Sequence, residues 1–128
     1  GSVVVGTSYT TINKDGRAFR WTPATGMVSL GVPLGGKTSE AFATSPDGSI
    51  VVGGITSSKW RRAFIWDAAN GWRSVEDVLA AHNVFPPSGW ALVRANGVTV
   101  TPTGETVIVG FGFNPKGQTE AWRAVIAN

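Results

Sequence analysis

The sequence predicts an all-β fold of antiparallel four-stranded repeats, resembling about two and a half propeller blades, with one short inserted helix. Two repeated blocks carry this reading. Ser2-Val3-Val4-Val5-Gly6 is echoed by Ser49-Ile50-Val51-Val52-Gly53 and by Thr106-Val107-Ile108-Val109-Gly110. Downstream of each comes a second block: Arg17-Ala18-Phe19-Arg20-Trp21, Arg62-Ala63-Phe64-Ile65-Trp66 and the looser Glu120-Ala121-Trp122-Arg123-Ala124. Self-similarity at a fixed period marks a repeat architecture. Composition agrees: 17 glycines and only 15% charged residues, against about 25% in typical soluble domains, favour many tight turns.

Taken in order, each element has a local reason. The Val-rich blocks are β-branched and end at glycine, which is the composition of a strand bounded by a turn. Asn13-Lys14-Asp15-Gly16 then turns the chain into the aromatic block, the second strand. Ala24-Thr25-Gly26-Met27 and Ala69-Asn70-Gly71-Trp72 place a glycine five residues after a tryptophan, where a turn needs a positive φ. Thr44-Ser45-Pro46-Asp47-Gly48 and Val100-Thr101-Pro102-Thr103-Gly104 are hairpin turns ahead of the next Val-rich strand. The first repeat thus spans 2–48, the second 49–104 and a partial third 105–128, within one domain that belongs to a longer array or an oligomer. Runs such as Ile50-Val51-Val52 read as buried on both faces, as expected where sheets stack face to face.

Gly6, Gly53 and Gly110 are 47 and 57 residues apart, near the 40 to 50 residue periods of propeller blades. The surplus lies between Trp72 and Gly97, where residues 74–83 read as a helix. Ser74 caps its first turn, Glu76 and Asp77 suit its positive end, and Pro86 and Pro87 stop it from extending. As a cap, this insertion covers an edge strand or an end of the array. A β-solenoid or a sandwich with two repeated halves is the alternative architecture.

The charge pattern argues against nucleic acid. The net charge is +3, but the basic residues are spread from Lys14 to Arg123 and only Lys59, Arg61 and Arg62 cluster, so no basic helix or tail tracks phosphates. The absence of cysteine removes disulfides, thiolate metal sites and a cysteine nucleophile. No run approaches the roughly 18 apolar residues of a membrane span, so direct membrane insertion is not expected.

Catalytic and metal chemistry find little footing. His82 stands alone on the helix or its exit, and a triad is a matter of geometry that one residue does not supply. Of the eight carboxylates, Asp15 and Asp47 occupy turns where Asp and Gly serve the backbone, which leaves a glycosidase pair without support. The turn at Asn13 lacks the ligand series of a calcium loop, and no phosphate loop follows a strand. The expectation is therefore no catalytic residue, no metal and no cofactor. Trp21, Trp66 and Trp122 belong to repeat blocks and are expected to pack between blades. Lys59, Trp60 and Arg61 form a loop whose indole and two cations suit a sugar or an acidic partner; with Trp90 they are the candidate ligand-binding residues. The structural alternatives are a Trp60 that covers a blade edge, and a Trp72 and Trp90 that dock the helix.

The two aromatic blocks, and the closing stretch from Gly110 to Trp122, are similar to the bacterial extracellular HAF repeat, with Arg17 and Arg62 where the signature has histidine. The resemblance covers nearly the whole chain. It implies a β-propeller-like array in an exported protein, extracellular or at the bacterial cell surface, often ahead of a sorting tail or an autotransporter barrel, and it brings no catalytic residues. The expected function is a non-enzymatic binding or adhesion module recognising glycan or protein through blade loops. The alternative is an assembly protein that self-associates through repeat edges. A hydrolase would require acids converging in a central channel.

Overall fold

The computed structural model describes residues 2–9, 11 and 14–127; Asn13 of the first predicted turn lies outside them. Over the described residues the protein is mostly β, with three antiparallel sheets and one short helix. The first sheet contains β1 (Val4–Tyr9), β2 (Gly16–Thr22) and β3 (Gly26–Gly31) in that order. The second contains β4 (Thr38–Thr44), β5 (Val51–Thr56), β6 (Arg61–Asp67) and β7 (Gly71–Ser74). After α1 (Val75–Ala81) come β8 (Ala91–Val100), β9 (Thr106–Phe113) and β10 (Thr119–Ile126), the third sheet.

The register makes the repeats explicit. Gly6 pairs with Phe19, Gly53 with Phe64 and Gly110 with Trp122. A Cβ on any of these glycines would meet that aromatic ring within 3 Å. The recurring glycine therefore exists because a ring from the next strand lies across it. The sheets are out of phase with the sequence repeats: β4 falls within residues 2–48 yet pairs with β5 of the following repeat. The Ser45–Gly48 turn is accordingly internal to the second sheet, as the 101–104 turn is to the third.

Each interface between sheets has its own core. Ala18, Val5 and Leu30 of the first sheet meet Ala41, Val51, Ile55 and Phe64 of the second. The opposite face of the second sheet, with Val52, Ala63 and Ile65, meets Leu92, Ala95, Ile108, Ala124 and Ile126 of the third. Alternation along β5 and β6 explains both, since neighbouring residues on a strand point to opposite faces. This is the two-sided burial expected of Ile50-Val51-Val52.

Polar links stitch the first interface. The buried Ser39 hydroxyl accepts from the Ala18 N–H at 2.9 Å and donates to the Gly31 carbonyl at 2.6 Å. A register shift between β2 and β3 skips Leu30, and the Leu30 carbonyl accepts from the indole Nε1 of Trp72 at 2.8 Å. Trp72 thus joins two sheets, where the sequence reading had it docking the helix. Trp72→Phe keeps the ring but leaves that carbonyl without its donor, so a loss of roughly 1–2 kcal/mol is expected in urea unfolding.

The helix follows its caps. The Ser74 hydroxyl accepts from the Asp77 N–H at 3.0 Å, and Asn83 ends the element at φ 58°. The helix packs against β6 and against β7, an edge strand of the second sheet. Val75, Val78 and Leu79 are buried in the core between the second and third sheets, and Glu76 accepts from the Leu92 N–H at 2.9 Å.

The three repeat tryptophans diverge. Trp66 packs against the first interface and Trp122 against the second. Trp21, by the same alternation that buries Ala18, lies on the outer face of the first sheet and is half-buried. It does not lie between two sheets among the described residues.

Candidate functional site

The loops joining β5 to β6 and β9 to β10 occupy equivalent places in their sheets, each joining the two strands that pair a repeated glycine with an aromatic residue. The first of these is built tightly. Ser57 holds it, its N–H donating to the Trp60 carbonyl at 2.9 Å and its hydroxyl accepting from the N–H groups of Lys59 and Trp60 at 3.1 and 2.9 Å. That fold of the chain leaves Lys59 and Arg61 exposed on either side of a half-buried Trp60.

Trp60 is anchored rather than free. Its ring packs against the first core, and the Arg62 guanidinium lies 4.7 Å from the ring centroid, an arrangement favoured by attraction between a cation and the negative face of the indole. One face of the indole is therefore taken. Loop residues 57–61, together with Ala91 and Val93 of β8 and Phe113 of β9, line a cleft of about 440 Å³ that bridges two sheets. Its floor is apolar and its rim carries two cations.

Trp90 stands elsewhere. It lines a second cleft, also about 440 Å³, with Phe85, Leu92 and Trp122 beside β10. The four candidate residues thus form two surfaces, Lys59-Trp60-Arg61 on one and Trp90 on the other. Sequence reasoning did not single out Phe113 or Phe85. Phe113 could have been found from its place at the end of a strand, next to a loop equivalent to that of Trp60.

Two carboxylates elsewhere are held by their own turns. Hydrogen bonds from the Ser49 N–H and from the Ser45 and Ser49 hydroxyls hold the Asp47 carboxyl at a pKa of about 2. Because this pKa is depressed, the turn's contribution to stability is present above the usual carboxylate pKa and is lost as pH falls toward 2. Carboxyl NMR titration should find the Asp47 midpoint near that value. Burial pushes the Asp67 carboxyl up, but Asn70 hydrogen bonds and the Arg73 guanidinium, 2.9 Å away, outweigh it and keep the group below its ordinary value. Both acids are committed to the turns that contain them.

His82 directs Nδ1 to the Val78 carbonyl at 2.9 Å, at the helix C-terminus. Arg94 lies over Phe42 and Phe111, at 4.3 and 5.5 Å from the ring centroids. Among the described residues no group of three or more His, Asp or Glu side chains is placed to hold a metal ion. No helix among them is long and apolar enough to cross a membrane. Compared with family models, with curated proteins and with solved structures, the chain matches none.

Proposed function

We propose that this chain is a non-enzymatic binding module of a bacterial extracellular or cell-surface repeat protein, taking an acidic protein segment in the cleft of the Lys59-Trp60-Arg61 loop. The supporting observation is that cleft itself, whose loop is held by four hydrogen bonds between Ser57 and the Lys59-Trp60 backbone and faces Ala91, Val93 and Phe113 of the third sheet. A prebuilt loop lowers the ordering cost of binding. Apolar floor and cationic rim together suit a chain with aromatic or aliphatic residues beside carboxylates, and the rim charges chiefly set encounter rate and salt dependence.

Fluorescence anisotropy with Glu-rich peptides bearing one aromatic residue tests the reading. Saturable binding that weakens with salt, and at least tenfold in the Lys59→Glu/Arg61→Glu variant, is expected. Binding indifferent to both changes, or absent at millimolar peptide, would overturn it; preferential binding to uronic-acid oligosaccharides would move the ligand to the glycan class.

A second reading, assembly by stacking of copies, has its own support. Val4 and Val109 are 48% and 44% exposed, whereas their repeat equivalents Val51 and Val52 are fully buried between sheets. Exposed apolar residues on an open repeat invite a further layer. Light scattering that finds a monomer at high concentration counts against it.

A further inference from the structure

The Lys59-Trp60-Arg61 loop has a cleft on each face of the second sheet, and the loop is the ridge between them. Across β5 and β6, Thr56 pairs with Arg61 and Ile55 with Arg62. Neighbouring residues on a strand point to opposite faces, so the two pairs diverge. Thr56 and Arg61 line the cleft of about 440 Å³ that faces the third sheet. Ile55 and Arg62 line another, of about 230 Å³, on the side of the first sheet. Trp60 lines both.

The smaller cleft is suited to an aliphatic side chain. Pro33, Leu34, Ile55, Trp60 and Trp72 give it apolar walls, and Arg73 and Asp77 add opposite charges. The turn that carries Leu34 is closed by the Gly36 N–H, which donates to the Pro33 carbonyl at 3.0 Å. Leu34 is fully exposed at the cleft, so it adds nothing to the core and is open to a ligand. On the ridge, Lys59, Arg61 and Arg62 are exposed and make no ion pair among the described residues, whereas Arg73 is paired with Asp67. The unneutralised charge therefore lies between two apolar clefts.

We propose that the acidic segment assigned to the larger cleft crosses this ridge and seats a second, aliphatic side chain in the smaller one. The ligand is then a two-anchor motif, with an aromatic residue and a leucine-like residue separated by carboxylates that meet Lys59, Arg61 and Arg62. This rests on the reading of the larger cleft as a site for an acidic segment. Packed sheets lie about 10 Å apart and an extended chain advances about 3.3 Å per residue, so anchors on opposite faces of one sheet stand roughly three to four residues apart. Once the first anchor is seated, the second binds at high effective concentration, which is why the pair holds more tightly than either alone.

Fluorescence anisotropy with two labelled peptides tests the proposal. One carries a tryptophan, three glutamates and a leucine in that order; in the other, serine replaces the leucine. The leucine peptide should bind at least tenfold more tightly, and the gain should vanish when the leucine is moved next to the tryptophan. Leu34→Ser in the protein should also abolish the gain, and the exposure of Leu34 means that its replacement leaves the core intact. Equal affinity of the two peptides would overturn the proposal, as would a gain that survives Leu34→Ser or the shortened spacing. In those cases salt-sensitive binding of the serine peptide would still uphold the reading of the larger cleft. Failure of both peptides to bind at millimolar concentration would overturn the two together.

Discussion

Gly53→Ala should destabilise the protein by roughly 3–5 kcal/mol, near the upper end for single substitutions. The new Cβ would lie 1.8 Å from the Glu40 carbonyl oxygen and 2.7 Å from the Phe64 ring. The ring can shift, but the carbonyl is fixed by the pairing of β4 with β5, where the register skips Phe42 between Ala41 and Ala43. The neighbouring glycine supplies the control. At Gly54 the nearest atoms are 3.6 and 3.8 Å away, ordinary van der Waals contact. Gly54→Ala should therefore be neutral, or stabilise by up to about 0.4–1 kcal/mol through a less flexible unfolded chain. Urea midpoints of the two variants should move in clearly different degrees. Gly110→Ala should resemble Gly53→Ala, because the Arg94 carbonyl sits at the same 1.8 Å. At Gly6, on β1, whose one partner strand among the described residues is β2, the new Cβ would meet the Phe19 ring and no backbone carbonyl, so its substitution should cost less.

The second large effect is expected at Phe64, which is fully buried in the core between the first and second sheets. Phe64→Ala removes the ring that covers Gly53 and supports the edge of Trp72, and a loss of about 3–5 kcal/mol follows from the transfer and cavity contributions of a buried phenyl group. Calorimetry should show the lower midpoint, and tryptophan emission should shift red in the folded state as Trp72 loses its packing. The pair of substitutions separates ring from backbone. If the ring alone made Gly53 obligatory, Phe64→Ala would rescue Gly53→Ala. Because the Glu40 carbonyl remains, no rescue is expected, and the double variant should be less stable than either single one.

The strand pattern was legible in the sequence because the same physics acts three times. A β-branched run, a glycine and an aromatic residue recur wherever a ring must lie across a backbone. The cap at Ser74 was legible too, since a helix N-terminus is local chemistry; the helix end was not, because the reading ran to Asn83 and the helix stops at Ala81, with Asn83 at φ 58° well ahead of Pro86 and Pro87. What the helix packs against was not, because the burial of Val75, Val78 and Leu79 depends on the third sheet, whose place no local pattern encodes. The ten-residue surplus between Gly53 and Gly110 was also coarser than the structure. From Gly26 to Ala41 is 15 residues, whereas from Gly71 to Ala95, its register equivalent, is 24. A longer β8–β9 hairpin and a shorter β5–β6 loop account for the remainder. At the candidate site, the Lys59 loop was visible as an aromatic between cations. Its floor was not, since Ala91, Val93 and Phe113 come from distant strands and signal nothing singly.

The one-strand offset between repeat and sheet has a consequence for how such a protein can grow or shrink. If one 47-residue sequence unit were duplicated, the new copy would not add a self-contained sheet. It would complete one sheet with its leading strands and begin the next with its last, as overlapping tiles cover one another's joints. Deleting a unit would likewise leave no orphaned layer, because the strands on either side of the cut already have the register to pair. The unit that is copied and the unit that folds are therefore different objects, and the chain is held together by that mismatch.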